Sequence, residues 1–538
     1  MRLPYTAVAV PRMTYAAEVW YTLPHFSKTS TNKQAGMVKF TNRLASAQHR
    51  AAISMLGAMR TTAGDVLNAH AYLLPPHLLF LKTLIHSATR LISLPPSHPL
   101  HKPSLHAAKR PPSRYLSPIH LLFITTEVKS ACYETIQTTH RGSNYRILAN
   151  IHIDDDRPTA VQNALNIPGL AIYTDGSGFK HGIGAAAIMI KNGTIIRKLK
   201  YYLGSDETHT VYQAEAVAIL LALHLAGNIK ERKTRITIGT NNQAVLLGLK
   251  NQRPKPSHYL LDLIHSSLED FQNTQSKMRG IHLKGYRKGT RQTRLPDGSI
   301  GWKEWNLKQR CKVDFIWTPG HEGIEGNETA DEEAKLAAQG ESSLPKDLPP
   351  SLRKKALPIS ISATRQKLRK QAKLRWRGEW FTSPRWERSR EIDQSLPSLD
   401  YIHTLDQLKR NQASLLTQFH TGHVPLNETL FRIKRAPSPD CPHCGLYFKE
   451  TIFHFLLACP HYASIRGKML LTLNQHIVSI PFLLGHPIGI PHFLQFVSNT
   501  KRLRTTFGEV RPDDDLVILN KSKQHHLRLH PPDESEEF

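Results

Sequence analysis

The stretch from about residue 168 to 340 has the most regular alternation of strand-like and helix-like segments, and it constrains the fold most strongly. It opens with three strand-like runs, LAIYTDGSG, GAAAIMI and TIIRKLKYYL, with turns at Gly176–Gly178 and Asn192–Gly193. A helix that looks buried, TVYQAEAVAILLALHLA, follows, and the strands TRITIGT and KVDFIWTPG then alternate with further helices. This order predicts an α/β fold in which helices cover a mixed sheet.

Three carboxylates stand out within this stretch. Asp175 ends the first strand, Glu215 lies inside the alanine-rich helix, and Asp331 is predicted to start the helix after GNETA. Asp175 also suits a turn, and Asp331 suits the positive end of a helix. Glu215 is harder to explain structurally, because a carboxylate among alanines and valine is costly to bury unless it is paired or binds a metal.

The predicted topology brings these acids together. If the first and fourth strands are neighbours, Asp175 and position 241 lie side by side, the Glu215 helix crosses the same sheet, and Asp331 completes the cluster. Crowded carboxylates repel one another unless cations neutralise them, and hard oxygen ligands favour Mg²⁺ or Mn²⁺. Two such ions would suit phosphodiester hydrolysis.

Four blocks carry a family resemblance, and they occur in the order YTDGSG, YQAEAVAILLAL, TNNQAVLLGL and WTPGHEGIEGNETADEEAK. This order resembles the RNase H domain of non-LTR retrotransposons, especially those of fungi. The resemblance implies a five-stranded mixed sheet with helices on both faces and metal-dependent hydrolysis of the RNA strand of RNA–DNA hybrids. It assigns Asp175, Glu215 and Asp331 to three of the four metal-binding acids, and His321 to a mobile-loop histidine that acts in proton transfer or product release.

The fourth acid of the family belongs where Asn241 stands, since the usual T-D-x-Q-A is here T-N-N-Q-A. An asparagine oxygen can contact a metal but brings no charge. We therefore expect Asn241 to cap the following helix and to leave the nuclease weakened or inactive.

A cysteine–histidine cluster lies further along the chain, in CPHCGLYFKETIFHFLLACPHY. Thiolates and an imidazole at this spacing suit a structural, tetrahedral Zn²⁺ site. The segment also resembles the zinc-binding region that follows RNase H in the same retrotransposons. The predicted ligands are Cys441, Cys444, His454 and Cys459, with His443 and His461 as spare histidines.

The net charge of +28 favours a nucleic-acid partner, here the RNA–DNA hybrid. A basic insertion at 273–310 contains interleaved aromatic residues and predicts phosphate contacts and stacking; a solvated loop is the alternative. The residues predicted to bind nucleic acid are Arg287, Lys288, Arg291 and Trp302.

The rest of the chain is predicted to be helical or connecting. Residues 1–110 resemble the segment after a reverse-transcriptase palm, but no palm is visible, so the chain reads as a truncated part of an element's polyprotein. IHIDDD is interpreted as a solvated acidic turn. The predicted division is a helical region at 1–110, a linker at 111–165, the RNase H-like domain at 166–340, a linker with a basic helix at 341–400, the zinc module at 401–500 and a flexible tail at 501–538.

The cysteine usage and the lack of a long apolar run predict a nuclear or cytoplasmic protein, not secreted and without a membrane partner. Two alternatives to an impaired nuclease remain at this point. One is a non-catalytic nucleic-acid-binding protein, and the other is a decayed remnant of the element.

Overall fold

The computed structural model describes residues 2–27, 30–109, 116–129, 131–137, 147–167, 169–229, 236–251, 253–278, 290–294, 300–304, 313–353, 356–473 and 478–513. The chain divides into two compact units, Leu84–Lys370 and a second made of Met1–Thr83 with Gln371–Phe538. No helix among the described residues combines the length and the apolar character needed to cross a membrane.

The Leu84–Lys370 unit is built on a mixed sheet of six strands in the spatial order β1-β6-β5-β2-β3-β4. Strands β1, β6, β5 and β2 run parallel, and β3 and β4 continue the sheet antiparallel. In chain order the strands are β1 Asn150–His152, β2 Leu170–Phe179, β3 Gly182–Lys191, β4 Thr194–Ser205, β5 Ile236–Thr240 and β6 Val313–Trp317.

The sheet has one strand more than the five predicted. The extra strand, β1, lies at the edge beside β6 and belongs to the segment predicted as a linker. Its three residues include Asn150, whose Nδ2 donates a 2.7 Å hydrogen bond to Asp314 Oδ1. A strand this short and polar carries no alternating apolar pattern, so the sequence gives no signal for it. IHIDDD, interpreted as a turn, therefore begins as a strand.

Five helices accompany this sheet: α1 Arg157–Leu165, α2 Val211–Gly227, α3 Gln243–Lys250, α4 His258–Met278 and α5 Glu325–Ala338. Helix α2 begins at a capping box in which Thr210 and Gln213 satisfy each other's backbone N–H groups. Its side chains are buried along almost the whole length, as predicted. The other helices of the unit are His101–Lys109, Pro118–Thr126, Pro345–Asp347 and Pro350–Arg353, and the helices Pro76–Ile92 and Ile361–Phe381 contain the points at which the two units divide.

The two faces of the sheet carry different helices. On one face, α2 packs with Ile172 and Ala185 in the main core of the unit. On the other face, α5 packs through Ala330 against Tyr173 and Ile188. Residues of β2 therefore alternate between an α2 face and an α5 face, which places neighbouring residues in the middle of β2 beside both helices. Asp175 is one of them: the prediction that it ends the strand is wrong, because pairing with β3 continues to Phe179.

Gly176 permits the close approach of α2 to β2. A Cβ atom at this position would lie 2.4 Å from the backbone nitrogen of Glu215 and 2.7 Å from the carbonyl carbon of Ala214. These are helix backbone atoms, so relief requires α2 to move.

We expect Gly176→Ala to destabilise the protein by about 1–3 kcal/mol, as overpacking typically does, and to displace Glu215. Urea unfolding measures the effect. Gly227→Ala is the matched control: nothing lies within 4 Å of a Cβ there, so stability should be unchanged or slightly higher. A Gly176→Ala chain as stable as the parent would contradict this account of helix packing.

The predicted basic insertion contains an antiparallel hairpin of Thr290–Arg294 and Ile300–Glu304. Gln292 pairs with Trp302, and Arg291 pairs with Lys303. The predicted nucleic-acid residues Arg287 and Lys288 lie outside the described residues, as do the side chains of Arg291 and Trp302. Their predicted role stays a prediction.

The other unit is largely helical. Its core joins Ala52, Leu56 and Leu67 from the N-terminal helices to residues such as Phe419 and Phe493 near the cysteine cluster. The elements in chain order are Arg2–Pro4, Tyr5–Ala9, Val10–Met13, Ala17–Trp20, the strands His25–Ser27 and Ser30–Ala35, Val38–Leu56, Gly64–Ala71, Trp386–Ile392, Asp400–Asp406, Arg410–Thr421, Asn427–Arg432, the strands Asp440–Cys441 and Gly445–Lys449, His454–Ala458, Pro460–Tyr462, Ala463–Leu473, Ile480–Gly485, Gly489–Thr500 and Arg504–Phe507.

This shared core differs from the predicted division into a helical region at 1–110 and a separate module at 401–500. Each segment alone has a periodic apolar face, but a sequence does not show which distant face covers it. The cysteine cluster is therefore part of a larger unit.

Candidate active site and metal centre

Strand pairing brings Asp175 and Asn241 together. Thr174 of β2 pairs with Thr240, the last residue of β5, so Asp175 within β2 and Asn241 just after β5 lie side by side. Asn241 Nδ2 donates a 2.6 Å hydrogen bond to Asp175 Oδ1. The Trp317 indole N–H holds this corner by donating to the Asn241 carbonyl at 3.2 Å. The Asn241 amide N–H thus forms a hydrogen bond with one of the two carboxylate oxygens of Asp175.

The cap of α3 is the neighbouring residue, Asn242, and the prediction that Asn241 caps this helix is wrong. Asn242 Oδ1 accepts a 3.1 Å hydrogen bond from the Val245 backbone N–H. Both positions carry the same side chain, so the sequence alone does not distinguish which one turns toward the helix. Asn241 turns toward Asp175 instead.

Glu215 enters the cluster from α2. It is only 3% exposed, and its carboxylate accepts hydrogen bonds from the Asn242 side chain and the Gly176 backbone N–H. The missing side chain at Gly176 is what allows this contact with the strand. One oxygen, Glu215 Oε2, is buried without a hydrogen-bond partner among the described residues, and Asn241 Oδ1 is in the same condition.

Asp331 joins the cluster from α5. The helix begins at Glu325, so Asp331 lies in its second turn; the expectation that it starts the helix is wrong. The helix starts earlier because Glu325 and Gly326 already adopt helical backbone geometry, and Gly326 fits tightly against the Tyr173 ring. Lys335, one turn further along α5, donates a 2.6 Å hydrogen bond from Nζ to Asp331 Oδ2.

The carboxylates act on one another electrostatically. Burial and the nearby charge of Asp331 raise the pKa of Asp175 to about 6, although Asn241, Lys335 and His321 act in the opposite direction. Burial and the charge of Asp175 raise the pKa of Glu215 well above its ordinary value. Because both folded-state pKa values are raised, ionising these acids removes stability as pH rises through them. A cation in the cluster would relieve this cost.

These residues fit a divalent cation. The three carboxylates and the Asn241 amide oxygen form a hard, oxygen-only donor set, in which Glu215 Oε2 and Asn241 Oδ1 have no hydrogen-bond partner among the described residues. They do not enclose a single ion tightly: among the described residues, only the cysteine–histidine cluster brings three or more ligand atoms within 4.8 Å of one another.

His321 lies in the exposed loop between β6 and α5. Its backbone has φ of +59°, a left-handed conformation that is uncommon outside glycine. Arg157 of α1 holds the loop by donating to the Gly320 carbonyl at 2.8 Å and by pairing with Glu322. His321 is exposed to solvent, and its charge acts to lower the pKa of Asp175.

Lys335 and Trp317 belong to this site but were not among the residues predicted from the sequence. Lys335 follows Asp331 by four residues on a helix, a spacing at which opposite charges meet, so that signal was present. The contact of Trp317 with the Asn241 backbone depends on the parallel pairing of β5 and β6, and no local pattern indicates it.

The cysteine–histidine cluster converges as its spacing predicts. The ligand atoms of Cys441, Cys444, His454 and Cys459 all lie within 4.8 Å of one another. The Cys459 sulfur lies 3.9 Å from that of Cys441 and 3.7 Å from that of Cys444. His454 Nε2 is buried without a hydrogen-bond partner, as expected of a nitrogen that binds a metal. Three sulfurs and one imidazole favour Zn²⁺.

The spare histidines are not part of this ligand set. His443 and His461 are exposed and stack on each other, with ring centroids 3.7 Å apart. Glu450 anchors the segment between Cys444 and His454, just after the strand Gly445–Lys449. Arg502 contacts it through two hydrogen bonds of 2.7 Å, and its carboxylate also accepts the Asn427 backbone N–H at 2.7 Å.

The family comparison agrees with the position of the sheet in the chain. The RNase H family model matches residues 168–339. Among solved structures, the RNase H1 of Halobacterium salinarum NRC-1 is similar at 15% identity, covering 32% of this chain and 98% of its own, with a TM-score of 0.21. The N-terminal RNase H domain of a Mycobacterium tuberculosis protein is similar at 13% identity, covering 32% and 97%, with a TM-score of 0.21.

A metagenomic RNase H1 from compost, LC11-RNase H1, in a structure with an RNA/DNA hybrid, is similar at 16% identity, covering 32% and 97%, with a TM-score of 0.19. No curated protein matches the chain. The predicted RNase H-like fold is confirmed, and the edge strand β1 is an addition to it that lies before the matched residues. Residues 168–339 form an RNase H domain.

Proposed function

We propose that this domain binds RNA–DNA hybrids and hydrolyses their RNA strand, at a rate reduced by Asn241. The observation that carries the proposal is the convergence of Asp175, Glu215 and Asp331 from one strand and two helices on opposite faces of the sheet. Burying carboxylates close together is costly unless cations bind there, so the arrangement is hard to explain as structure alone.

Asp175, Glu215 and Asp331 would hold two Mg²⁺ or Mn²⁺ ions. Such ions, when bound, stabilise the attacking and leaving oxygens of a phosphodiester displacement. Gly176 and Asn242 fix the Glu215 carboxylate by hydrogen bonds, so it is oriented before a substrate arrives. His321, exposed in a loop beside the cluster, is placed to accept or supply a proton at the substrate phosphate.

The impairment follows from the contacts of Asn241. Its amide contributes no charge and donates to Asp175 Oδ1, so a metal ion has to compete with the amide N–H for that oxygen. Loss of a full ligand weakens metal binding and misplaces the reacting groups.

A second candidate function is binding of nucleic acid without cleavage. The observation that favours it is that Asn241 and Lys335 both reduce the negative charge of the cluster, so a phosphate backbone is repelled less. The overall charge of +28 supports either function, because both need contacts with phosphates.

The cysteine–histidine cluster binds Zn²⁺ in a structural role in this proposal. All four ligands are protein side chains, which leaves no open position for catalysis. An RNase H-like domain followed by this cluster supports an origin in a non-LTR retrotransposon polyprotein.

A cleavage assay on hybrids labelled in the RNA or the DNA strand tests the proposed activity. We expect slow, metal-dependent cutting of the RNA strand only, and none from Asp175→Asn. The control Asp206→Asn changes an exposed acid that pairs with His181 on the surface, and it should cut like the parent. Cutting that survives in Asp175→Asn would overturn the assignment. Binding of the hybrid without any cutting would favour the second function.

A further inference from the structure

Lys335 is a cation at the open side of the acid cluster. Its Nζ lies 2.6 Å from Asp331 Oδ2, and its charge also acts on Asp175. The Lys335 side chain is 45% exposed and that of Asp331 is 24% exposed, so the pair lies at the open side of the cluster. A metal ligand and a cation are thus already in contact.

Two other lysines beside α5, both on strand β4, form their ion pairs elsewhere. Lys198 and Lys200 pair with Glu333, and Lys200 also pairs with Glu341, at the side of α5 that faces β4. Glu333 follows Asp331 by two residues and therefore points to a different side of the helix. Lys335 is the lysine of α5 that reaches the cluster.

We propose that Lys335 is a built-in counter-cation that competes with divalent ions for Asp331. With all groups ionised, three carboxylates and one ammonium carry a formal charge of −2. An acid at position 241 and a neutral residue at 335 would give −4. The folded protein thus partly neutralises its own acids when no metal is present, and an incoming ion has to displace the lysine from Asp331.

An ordinary helix ion pair is the simpler explanation of the same contact. Exposed ion pairs four residues apart contribute little to stability and have no special relation to metal binding. The two explanations differ in what happens to the affinity for a divalent ion when the lysine is removed. The proposal rests on the proposed function in one respect only, namely that the acids bind divalent ions.

Titration of the full chain with Mn²⁺, followed by the electron paramagnetic resonance signal of the free ion, measures that affinity. We expect Lys335→Met to bind Mn²⁺ about tenfold more tightly than the parent, since one nearby unit charge has been removed from a partly screened site. Lys335→Arg keeps the charge and should stay within about twofold of the parent. Lys198→Met is the matched control, because it removes an ion pair to α5 away from the cluster.

Thermal unfolding with and without Mn²⁺ distinguishes a lysine that competes with the metal from one that only stabilises the fold. Without metal, Lys335→Met should have a lower Tm than the parent, because three acids have lost their cation. Added Mn²⁺ should raise its Tm by more than it raises that of the parent, as tighter binding requires. A merely structural lysine would lower Tm with and without metal alike.

Three results would overturn the proposal: equal or weaker Mn²⁺ binding by Lys335→Met, an equal gain in Lys198→Met, or no Mn²⁺ binding by any variant. Failure of the nuclease assay alone leaves these binding results unchanged. Failure of the proposed function and failure of this inference are therefore distinguishable.

Discussion

Asn241→Asp is expected to raise Mg²⁺-dependent cleavage of the RNA strand of a hybrid by about 100-fold. The substitution restores a charged ligand and removes the amide N–H that occupies Asp175 Oδ1. A hundredfold gain corresponds to about 2.7 kcal/mol of transition-state stabilisation, within the range reported for single preorganised electrostatic groups. Initial rates on a labelled hybrid measure it.

The adjacent residue supplies the control. Asn242→Asp adds the same charge one position later, where the side chain caps α3 and contacts Glu215. It keeps an oxygen for the cap but adds no ligand beside Asp175, so cleavage should not rise. Equal rates for the parent and Asn241→Asp would show that the missing charge is not the defect.

Cys459→Ser is expected to abolish zinc binding and to lower Tm by about 10 °C or more. The Cys459 sulfur lies against two other ligand sulfurs, and its carbonyl accepts hydrogen bonds from Arg466 in the following helix. Losing a structural zinc costs several kcal/mol, and each kcal/mol shifts Tm by about 2–4 °C in a unit of this size. Metal analysis and thermal unfolding of the full chain measure the two effects.

Because the zinc ligands lie in a core shared with the N-terminal helices, loss of zinc should destabilise more than the cysteine-containing segment. Phe455 and Leu456, between two of the zinc ligands, belong to the same cluster as Leu56 and Phe493. Loss of zinc should therefore loosen the unit of Met1–Thr83 and Gln371–Phe538, not a small module alone. Cys132→Ser, which changes an exposed cysteine in the other unit, should keep one zinc per chain. Unchanged zinc content in Cys459→Ser would exclude the proposed ligand set.

The mixed sheet and its helices could be predicted because their signals are local. Strand β2 and helix α2 each carry long apolar runs, and Thr210 with Gln213 marks the start of α2. Strand β1 could not be predicted, since three residues with two polar side chains form a strand only because β6 offers an edge.

The candidate site shows the same limit at the level of side chains. The positions of Asp175, Glu215 and Asp331 follow from motif order, but their partners depend on how the elements pack. The exchange of roles between Asn241 and Asn242 is one case, and the contact of Lys335 with Asp331 is another. The identity of an asparagine or a lysine does not indicate which side chain it will contact in the folded protein.

The central claim is that acids from separate elements form one metal-dependent nuclease site around Asn241. The most direct measurement is cleavage of a hybrid labelled in its RNA strand by Asn241→Asp, alone and combined with Glu215→Gln, with and without Mg²⁺. Of these two variants, we predict that only Asn241→Asp alone releases RNA fragments, and only with Mg²⁺. No fragments from Asn241→Asp, or equal fragments from both chains, would contradict the claim.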